Sequence, residues 1–100
     1  MRNFLLLLLF PLLSYSQTIE GIILDGELEN TPLTFAHISI DGTEVTTLTD
    51  FNGSFKIDLE EGTYTITIQF LGYEPKKLKG IEIKSKETYR VSESLSPISL

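Results

Sequence analysis

The sequence has no cysteine and only one histidine among its 100 residues. The absence of cysteine excludes disulfide bonds, thiolate metal sites, a cysteine nucleophile and the lipidated cysteine of a bacterial lipoprotein. His37, the single histidine, has no sequence partners for a triad or a metal site, so we predict an ordinary strand residue facing away from the core. The protein must therefore rely on its apolar core for stability.

Helix signals are also nearly absent after residue 16, because no stretch places apolar residues at i, i+3, i+4 and i+7 over three turns. Instead, apolar and polar residues alternate, as between Tyr64 and Phe70, where every second residue is apolar. We predict seven strands, at residues 18–24, 34–40, 44–48, 54–59, 63–70, 77–84 and 88–95. Seven short strands separated by turn residues are typical of a β-sandwich made of two antiparallel sheets.

Two of these strands carry ambiguous patterns. In the first, apolar residues such as Ile22 and Ile23 occupy both faces, which favours either a central strand or a β-bulge. In the last, Glu93 has the same parity as the apolar Val91 and Leu95. Either Glu93 lies beyond the packed region, or the strand shifts register near it.

The first 16 residues have the pattern of a secretory signal peptide. Arg2 supplies a positive charge, residues 4–13 form an apolar run, and Ser14 and Ser16 place small side chains at the −3 and −1 positions. A membrane span would need about 18 apolar residues, and this run is shorter. We expect cleavage between Ser16 and Gln17, which leaves a mature domain of residues 17–100.

The mature chain is acidic, since seven Lys and Arg remain against fourteen Asp and Glu, a net charge of −7. Such a domain binds nucleic acid poorly, so we exclude nucleic acid as a partner. Lysines do cluster late in the chain, but glutamates are interleaved with them, which indicates a solvated strand face or a charged edge. These lysines are Lys76, Lys77, Lys79, Lys84 and Lys86.

Residues 49–55 read T-D-F-N-G-S-F, and we predict that Asp50, Asn52 and Gly53 form a structural turn in which Gly53 adopts a positive φ. A calcium loop is the alternative, because D-x-N-G supplies oxygen ligands and Glu61 stands at the twelfth position from Asp50. Glycine, however, stands at position four, where such a loop needs it at six, and residues 55–59 alternate as a strand. We therefore predict no metal and no cofactor.

Residues 70–73 read F-L-G-Y and suggest a second structural turn. Gly72 is predicted to permit a sharp exit from a core strand, while Tyr73 packs its ring and its hydroxyl reaches backbone, as at a sandwich corner. Phe51 is a further aromatic residue at a turn, but one such residue does not define a partner or glycan site. Because no nucleophile, acid–base pair or metal set emerges, we predict no catalytic residues.

Four segments, in this order and spacing, resemble the carboxypeptidase regulatory-like domain family, whose members have a transthyretin-like β-sandwich. They are Gly21, Ile23 and Asp25 in the opening strand, and residues 32–40, 49–55 and 70–73; the resemblance spans residues 18–95. In bacteria of the Bacteroidetes type, such a domain commonly stands at the N-terminus of TonB-dependent outer-membrane receptors. The family is named for an accessory domain, so the resemblance implies no catalysis.

The resemblance implies a non-catalytic module that contacts a protein partner in the periplasm or at the outer membrane. The chain contains no receptor plug or barrel, so we expect a receptor fragment, a remnant of a truncated gene or a stand-alone module. A carbohydrate-binding module is the alternative. That function needs a row of exposed aromatic residues, whereas the predicted outer sheet faces carry mainly threonine and lysine.

Overall fold

The computed structural model describes residues 17–29 and 31–98, and the predicted signal peptide lies outside the described residues. Two four-stranded sheets pack face to face. Their eight strands are β1 (Gln17–Asp25), β2 (Thr31–Pro32), β3 (His37–Ile40), β4 (Thr46–Leu48), β5 (Ser54–Leu59), β6 (Gly62–Gln69), β7 (Lys76–Ile83) and β8 (Thr88–Leu95). In this part of the chain, no helix is long and apolar enough to cross a membrane.

The first sheet is built around β1, which confirms that the opening strand is central. One side of β1 pairs with β5 and, near the end of the strand, with β2, and both of these pairings are antiparallel. The other side pairs with β8 along the whole of β8. Its inner face carries the buried Ile19 and Ile23, whereas Ile22 and Leu24 on the outer face are half-buried.

The pairing of β8 with β1 is parallel, which differs from the predicted all-antiparallel arrangement. The connection between β7 and β8 explains the direction. β7 ends at Ile83, beside the start of β6, and the short segment 84–87 then crosses to the other sheet, where the backbone N–H of Thr18 donates to the Glu87 carbonyl oxygen at 3.2 Å. The chain thus enters the first sheet where β1 begins and runs in the same direction.

The second sheet has the order β4-β3-β6-β7, and all of its pairings are antiparallel. Its one irregularity within the described residues is a bulge in β7, because Tyr64 pairs with Ile81 whereas Ile66 pairs with Leu78. Two residues of β7 thus stand opposite a single residue of β6. The bulge brings Leu78 and Ile81, which have opposite parities, onto the same side of the strand.

The core lies between the sheets and confirms the predicted alternation. Fourteen buried apolar residues form one cluster, and nine of them are isoleucines. They are Ile19, Ile23, Leu33, Ala36, Ile38, Ile40, Phe55, Ile57, Ile66, Ile68, Ile81, Ile83, Val91 and Leu95. The β-sandwich is therefore confirmed, with eight strands instead of seven, since the two-residue β2 contains proline and is too short to show a period.

Glu93 contradicts both interpretations of the last strand. The register between β1 and β8 is unbroken, and Leu95, which follows Glu93 on the same face, is 1% exposed. The carboxylate of Glu93 instead accepts a hydrogen bond from Lys76 Nζ at 3.1 Å, and the same ammonium group donates to the Ser94 carbonyl oxygen at 2.9 Å. A charge pair at the rim of the core lets the strand continue without a register shift.

The outer face of the second sheet is polar, as predicted, but Thr67 on that face is buried. Lys77 Nζ donates to Thr67 Oγ1 at 2.8 Å and to Asp41 Oδ2 at 2.7 Å, so the lysine side chain covers the threonine. The Thr67 hydroxyl donates in turn to Asp41 Oδ1 at 2.7 Å. The Lys77 hydrogen bond, followed by that from Thr67, lowers the pKa of Asp41.

Candidate functional site

Both predicted turns lie at one end of the sandwich, which we call the loop end. Strands β1, β4, β6 and β8 finish there, and β3, β5 and β7 begin there. The loop end comprises residues 26–29, 33–36, 49–53, 70–75 and 96–98. The first turn links β4 of the second sheet to β5 of the first, the second turn links β6 to β7 within the second sheet, and the fold places both at the same end.

The first turn is closed by the carboxylate of Asp50. Asp50 Oδ1 accepts hydrogen bonds from the backbone N–H groups of Asn52 and Ser54, each at 2.9 Å. The Asp50 carbonyl oxygen also accepts from the Gly53 N–H at 2.9 Å. Asn52 thus takes part through its backbone. A side chain that satisfies two backbone donors favours this turn over competing conformations.

Gly53 has a φ of +74° and packs against the backbone of β1. Its carbonyl oxygen accepts from the Ile23 N–H at 2.8 Å, and a Cβ atom at this position would lie 2.5 Å from the Ile23 carbonyl oxygen. Glycine is therefore required twice here, once by the left-handed backbone and once by the close approach of another strand.

Thr49, immediately before this turn, is a buried polar residue whose role was not predicted from the sequence. It is 1% exposed, and its hydroxyl donates to the Leu33 carbonyl oxygen at 2.5 Å while accepting from the Ala36 N–H at 2.8 Å. These bonds join the turn to the segment between β2 and β3. No short-range pattern reveals this role, because the partners lie 16 and 13 residues away.

The second turn places Tyr73 between the sheets and brings it to Asp25. The Tyr73 ring packs edge-on against Phe70, with a centroid distance of 5.3 Å, and its hydroxyl donates to Asp25 Oδ2 at 2.5 Å. The expectation that the hydroxyl reaches backbone is therefore wrong in its acceptor. The backbone N–H groups of Glu27 and Leu28 donate to Asp25 Oδ1, so Oδ2 of this buried carboxylate is left to accept from Tyr73.

Gly72 has a φ of +86°, and a Cβ atom there would have no neighbour within 4 Å. The loop turns tightly at this point, because the Tyr73 N–H donates to the Phe70 carbonyl oxygen at 2.9 Å. The Gly72 carbonyl oxygen accepts from the Ile98 N–H at 2.9 Å. The second turn therefore holds the segment that follows β8 against the loop end.

The Asp25–Tyr73 pair changes the ionisation of both groups. The Tyr73 hydroxyl donates to the Asp25 carboxylate and lowers the pKa of Asp25, although burial acts in the opposite direction. The same hydrogen bond raises the pKa of Tyr73, because loss of its proton would place two negative charges side by side. The pair is thus most favourable with aspartate charged and tyrosine neutral.

Replacing Tyr73 by phenylalanine is expected to lower the free energy of unfolding at neutral pH, because the buried carboxylate loses a donor. The Asp25 contribution is present above the unfolded pKa of 3.8 and is lost as the pH falls through the lowered folded pKa. The Tyr73 contribution is present below 10.0 and is lost as the pH rises through the raised folded pKa. The difference in the free energy of unfolding between Tyr73→Phe and the wild type should therefore be constant between about pH 4 and 10 and shrink on either side.

Denaturant unfolding across this pH range measures that difference. Tyr64→Phe is the matched control, since the Tyr64 hydroxyl donates at 2.8 Å to the exposed Glu60 carbonyl oxygen. Tyr64→Phe should lower the free energy of unfolding by less than Tyr73→Phe, because water replaces the missing donor. A loss in Tyr73→Phe that stayed constant from strong acid to strong alkali would contradict the assigned pair.

The structure also places the residues of the calcium alternative. Asp50 precedes β5 and Glu61 follows it, so a six-residue strand of about 20 Å separates the two carboxylates. His37 is half-buried on the outer face of β3, opposite Leu48 and Gln69, as its parity predicted. Within residues 17–29 and 31–98, no three Asp, Glu or His side chains come together in a way that would hold a metal ion.

The fold and the hydrogen-bonded turns define a small two-sheet β-sandwich domain. Its sequence matches the model of the CarboxypepD_reg-like domain over residues 19–99. The chain therefore belongs to this family, as the four segments around Gly21, His37, Gly53 and Tyr73 predicted.

Two characterised proteins are similar in sequence. The TonB-dependent receptor SusC of Bacteroides thetaiotaomicron is 36% identical over 61 residues, which are 61% of this chain and 6% of the receptor. Structural protein 27 of a virus (isolate Australia/Victoria) is 41% identical over 66 residues, which are 66% of this chain and 12% of that protein. The chain thus spans only a small part of either relative.

Two solved structures share the fold. They are crystal structures of C-terminal and N-terminal interface mutants of the type II cohesin–X-dockerin complex Coh3ScaB–XDoc from Acetivibrio cellulolyticus. The TM-scores are 0.67 and 0.68 at 23% and 20% identity, over 79% and 81% of this chain and 56% and 58% of the matched chains. At this identity, the likeness concerns the fold alone.

Proposed function

We propose that this chain is a non-catalytic, exported β-sandwich module that contacts a protein partner in the periplasm or at the outer membrane, and that it is associated with or derived from a TonB-dependent receptor. One observation carries the proposal. The carboxylates of the candidate site are engaged in the fold itself, whereas large apolar side chains at the same end are exposed. Such a surface is suited to contact and not to acid–base chemistry.

The receptor setting is supported by the similarity to SusC, a TonB-dependent receptor. Membership of the CarboxypepD_reg-like family supports the role of a non-catalytic accessory domain. In this proposal, Asp50, Asn52, Gly53, Gly72 and Tyr73 shape the loop end and bind no cofactor. Their hydrogen bonds to the chain's own groups support that assignment.

Carbohydrate binding is the second candidate, and one feature favours it. The rings of Phe35 and Phe51 are exposed and in contact, with a centroid distance of 6.1 Å. Their planes, however, are inclined at 51°, so the two rings do not form a flat platform for a sugar. Saturable binding to a glycan array that Phe51→Ser abolished would favour this candidate over a protein partner.

Export is tested by expressing the tagged chain in a Bacteroides host, followed by fractionation and mass measurement. We expect the protein in the periplasmic or outer-membrane fraction, with a mass that lacks residues 1–16. Leu8→Arg, which interrupts the apolar run, is the matched control and should leave an uncleaved protein in the cytoplasm. Cytoplasmic wild-type protein, or an exported protein that retains residues 1–13, would contradict the proposal.

A further inference from the structure

Exposed apolar side chains are concentrated at the loop end. Among the described residues, seven large hydrophobic side chains are exposed, and five of them project from the loops at this end. A sixth, Leu48, ends β4 beside them, and only Tyr89 lies elsewhere, near the start of β8. We call the five the apolar patch: Leu28 (61% exposed), Phe35 (61%), Phe51 (80%), Leu71 (96%) and Ile98 (49%).

The hydrogen bonds of the loop end connect the members of the apolar patch. Phe35 touches Phe51, and its N–H donates to the Thr49 carbonyl oxygen at 3.0 Å. A groove extends from Phe35 past Phe70 to Leu71. The Ile98 N–H donates to the carbonyl oxygen of Gly72, the residue after Leu71. Leu28 joins through Asp25, which binds both the Leu28 N–H and the Tyr73 hydroxyl. The five side chains therefore stand on one connected scaffold.

The position of Phe35 is unfavourable for folding alone. Its φ is +65°, a conformation that costs a non-glycine residue about 1 to 2 kcal/mol. Its side chain recovers little of this by burial, because it remains 61% exposed. Strained backbone that holds an apolar ring in solvent is typical of a contact site.

The charge around the apolar patch has one sign. The loop-end segments contain the exposed carboxylates of Glu27, Glu29, Asp50 and Glu74, and they contain no lysine or arginine. Lys76, which directly follows the segment 70–75, is paired with Glu93 and the Ser94 carbonyl oxygen. The exposed charges that the loop-end segments carry are therefore all negative.

From this surface we infer that the loop end docks a protein segment whose apolar side chains are flanked by lysine or arginine. The apolar side chains of such a segment cover the patch, and its cations meet the acidic rim. A second copy of this chain fits poorly, because a two-fold contact would bring two acidic rims together. An anionic membrane surface is repelled for the same reason. The inference rests on the proposed interaction function and names its surface and partner class.

Site-specific photo-crosslinking in the native host tests this inference on the full chain. A benzophenone-bearing phenylalanine analogue is placed at Phe51, at Leu71 or, as a matched control, at Tyr89, which is exposed but lies away from the loop end. We expect crosslinks from the first two positions and not from Tyr89. Mass spectrometry of the crosslinked peptide should find apolar residues with lysine or arginine within a few positions.

Charge is tested separately with the triple variant Glu27→Gln, Glu29→Gln and Glu74→Gln, which spares the turn-forming Asp50. The crosslink yield from Leu71 should fall at least several-fold at low ionic strength, and 0.5 M salt should reduce the wild-type yield in the same way. Circular dichroism of the variant verifies that the fold is intact. An unchanged yield in the folded variant would overturn the predicted partner chemistry.

The remaining outcomes separate the two proposals. Crosslinks from Tyr89 alone would overturn the assignment of the docking surface to the loop end but would agree with the proposed interaction function. No crosslink from any position would overturn both. Crosslinks to a second copy of the chain, to lipid or to glycan would overturn the partner class.

Discussion

Replacing Ile68 by alanine is expected to lower the free energy of unfolding by about 2 to 5 kcal/mol. Ile68 is fully buried, and it faces Ile38 directly across the pairing of β6 with β3. Removing most of its side chain loses apolar burial and leaves a cavity that the paired strands cannot close, because their backbones are hydrogen-bonded on both sides of β6. Ile66, also fully buried and opposite Ile40, should respond in the same range.

Thr65→Ala is the matched control for both isoleucines. Thr65 lies between Tyr64 and Ile66 on the same strand but points to the outer face, where it is half-buried. Its backbone carbonyl still accepts from the Asp41 N–H in the variant, so little is lost beyond the hydroxyl and one methyl group. We expect less than half of the loss at Ile68 in urea unfolding. Equal losses would show that the two faces of β6 are wrongly assigned.

The sequence was sufficient to predict the sandwich because the strongest signals are local. The alternation from Tyr64 to Phe70 predicts which face is buried, and the structure buries Ile66 and Ile68 completely. The bulge in β7 also has a signal in the sequence. The apolar positions change parity between Leu78 and Ile81, with Gly80 between them, which is a common mark of a bulge.

The remaining features depend on contacts between distant parts of the chain. The direction of β8 follows from the crossover between the sheets, and alternation is the same in parallel and antiparallel strands. Asp25 belongs to the segment that carried the family resemblance, but its partner Tyr73 is 48 residues away. Of the apolar patch, the sequence indicated only Phe51, as an aromatic residue at a turn. Only the fold brings Phe35, Leu71 and Ile98 to the same end.

Gly53→Val is expected to be more destabilising than the same change at Gly72. Both glycines have a positive φ, which costs other residues about 1 to 2 kcal/mol and β-branched residues more. At Gly72 no atom lies within 4 Å of the added Cβ, so this conformational cost stands alone. At Gly53 the added Cβ would lie 2.5 Å from the Ile23 carbonyl oxygen and 3.1 Å from Pro32 Cβ, and overpacking of this kind costs about 1 to 3 kcal/mol more.

The same contact predicts where the damage in Gly53→Val will appear. The Ile23 carbonyl oxygen accepts from the Leu33 N–H at 3.0 Å, and the Ile23 N–H donates to Gly53, so relief of the overlap must weaken the attachment of the turn to β1. Hydrogen exchange at the Ile23 and Leu33 amides should therefore accelerate in Gly53→Val but not in Gly72→Val. Denaturant unfolding of both variants measures the free energies. Equal losses, with unchanged exchange at Ile23, would mean that only the left-handed backbone requires glycine and that the turn does not pack against β1.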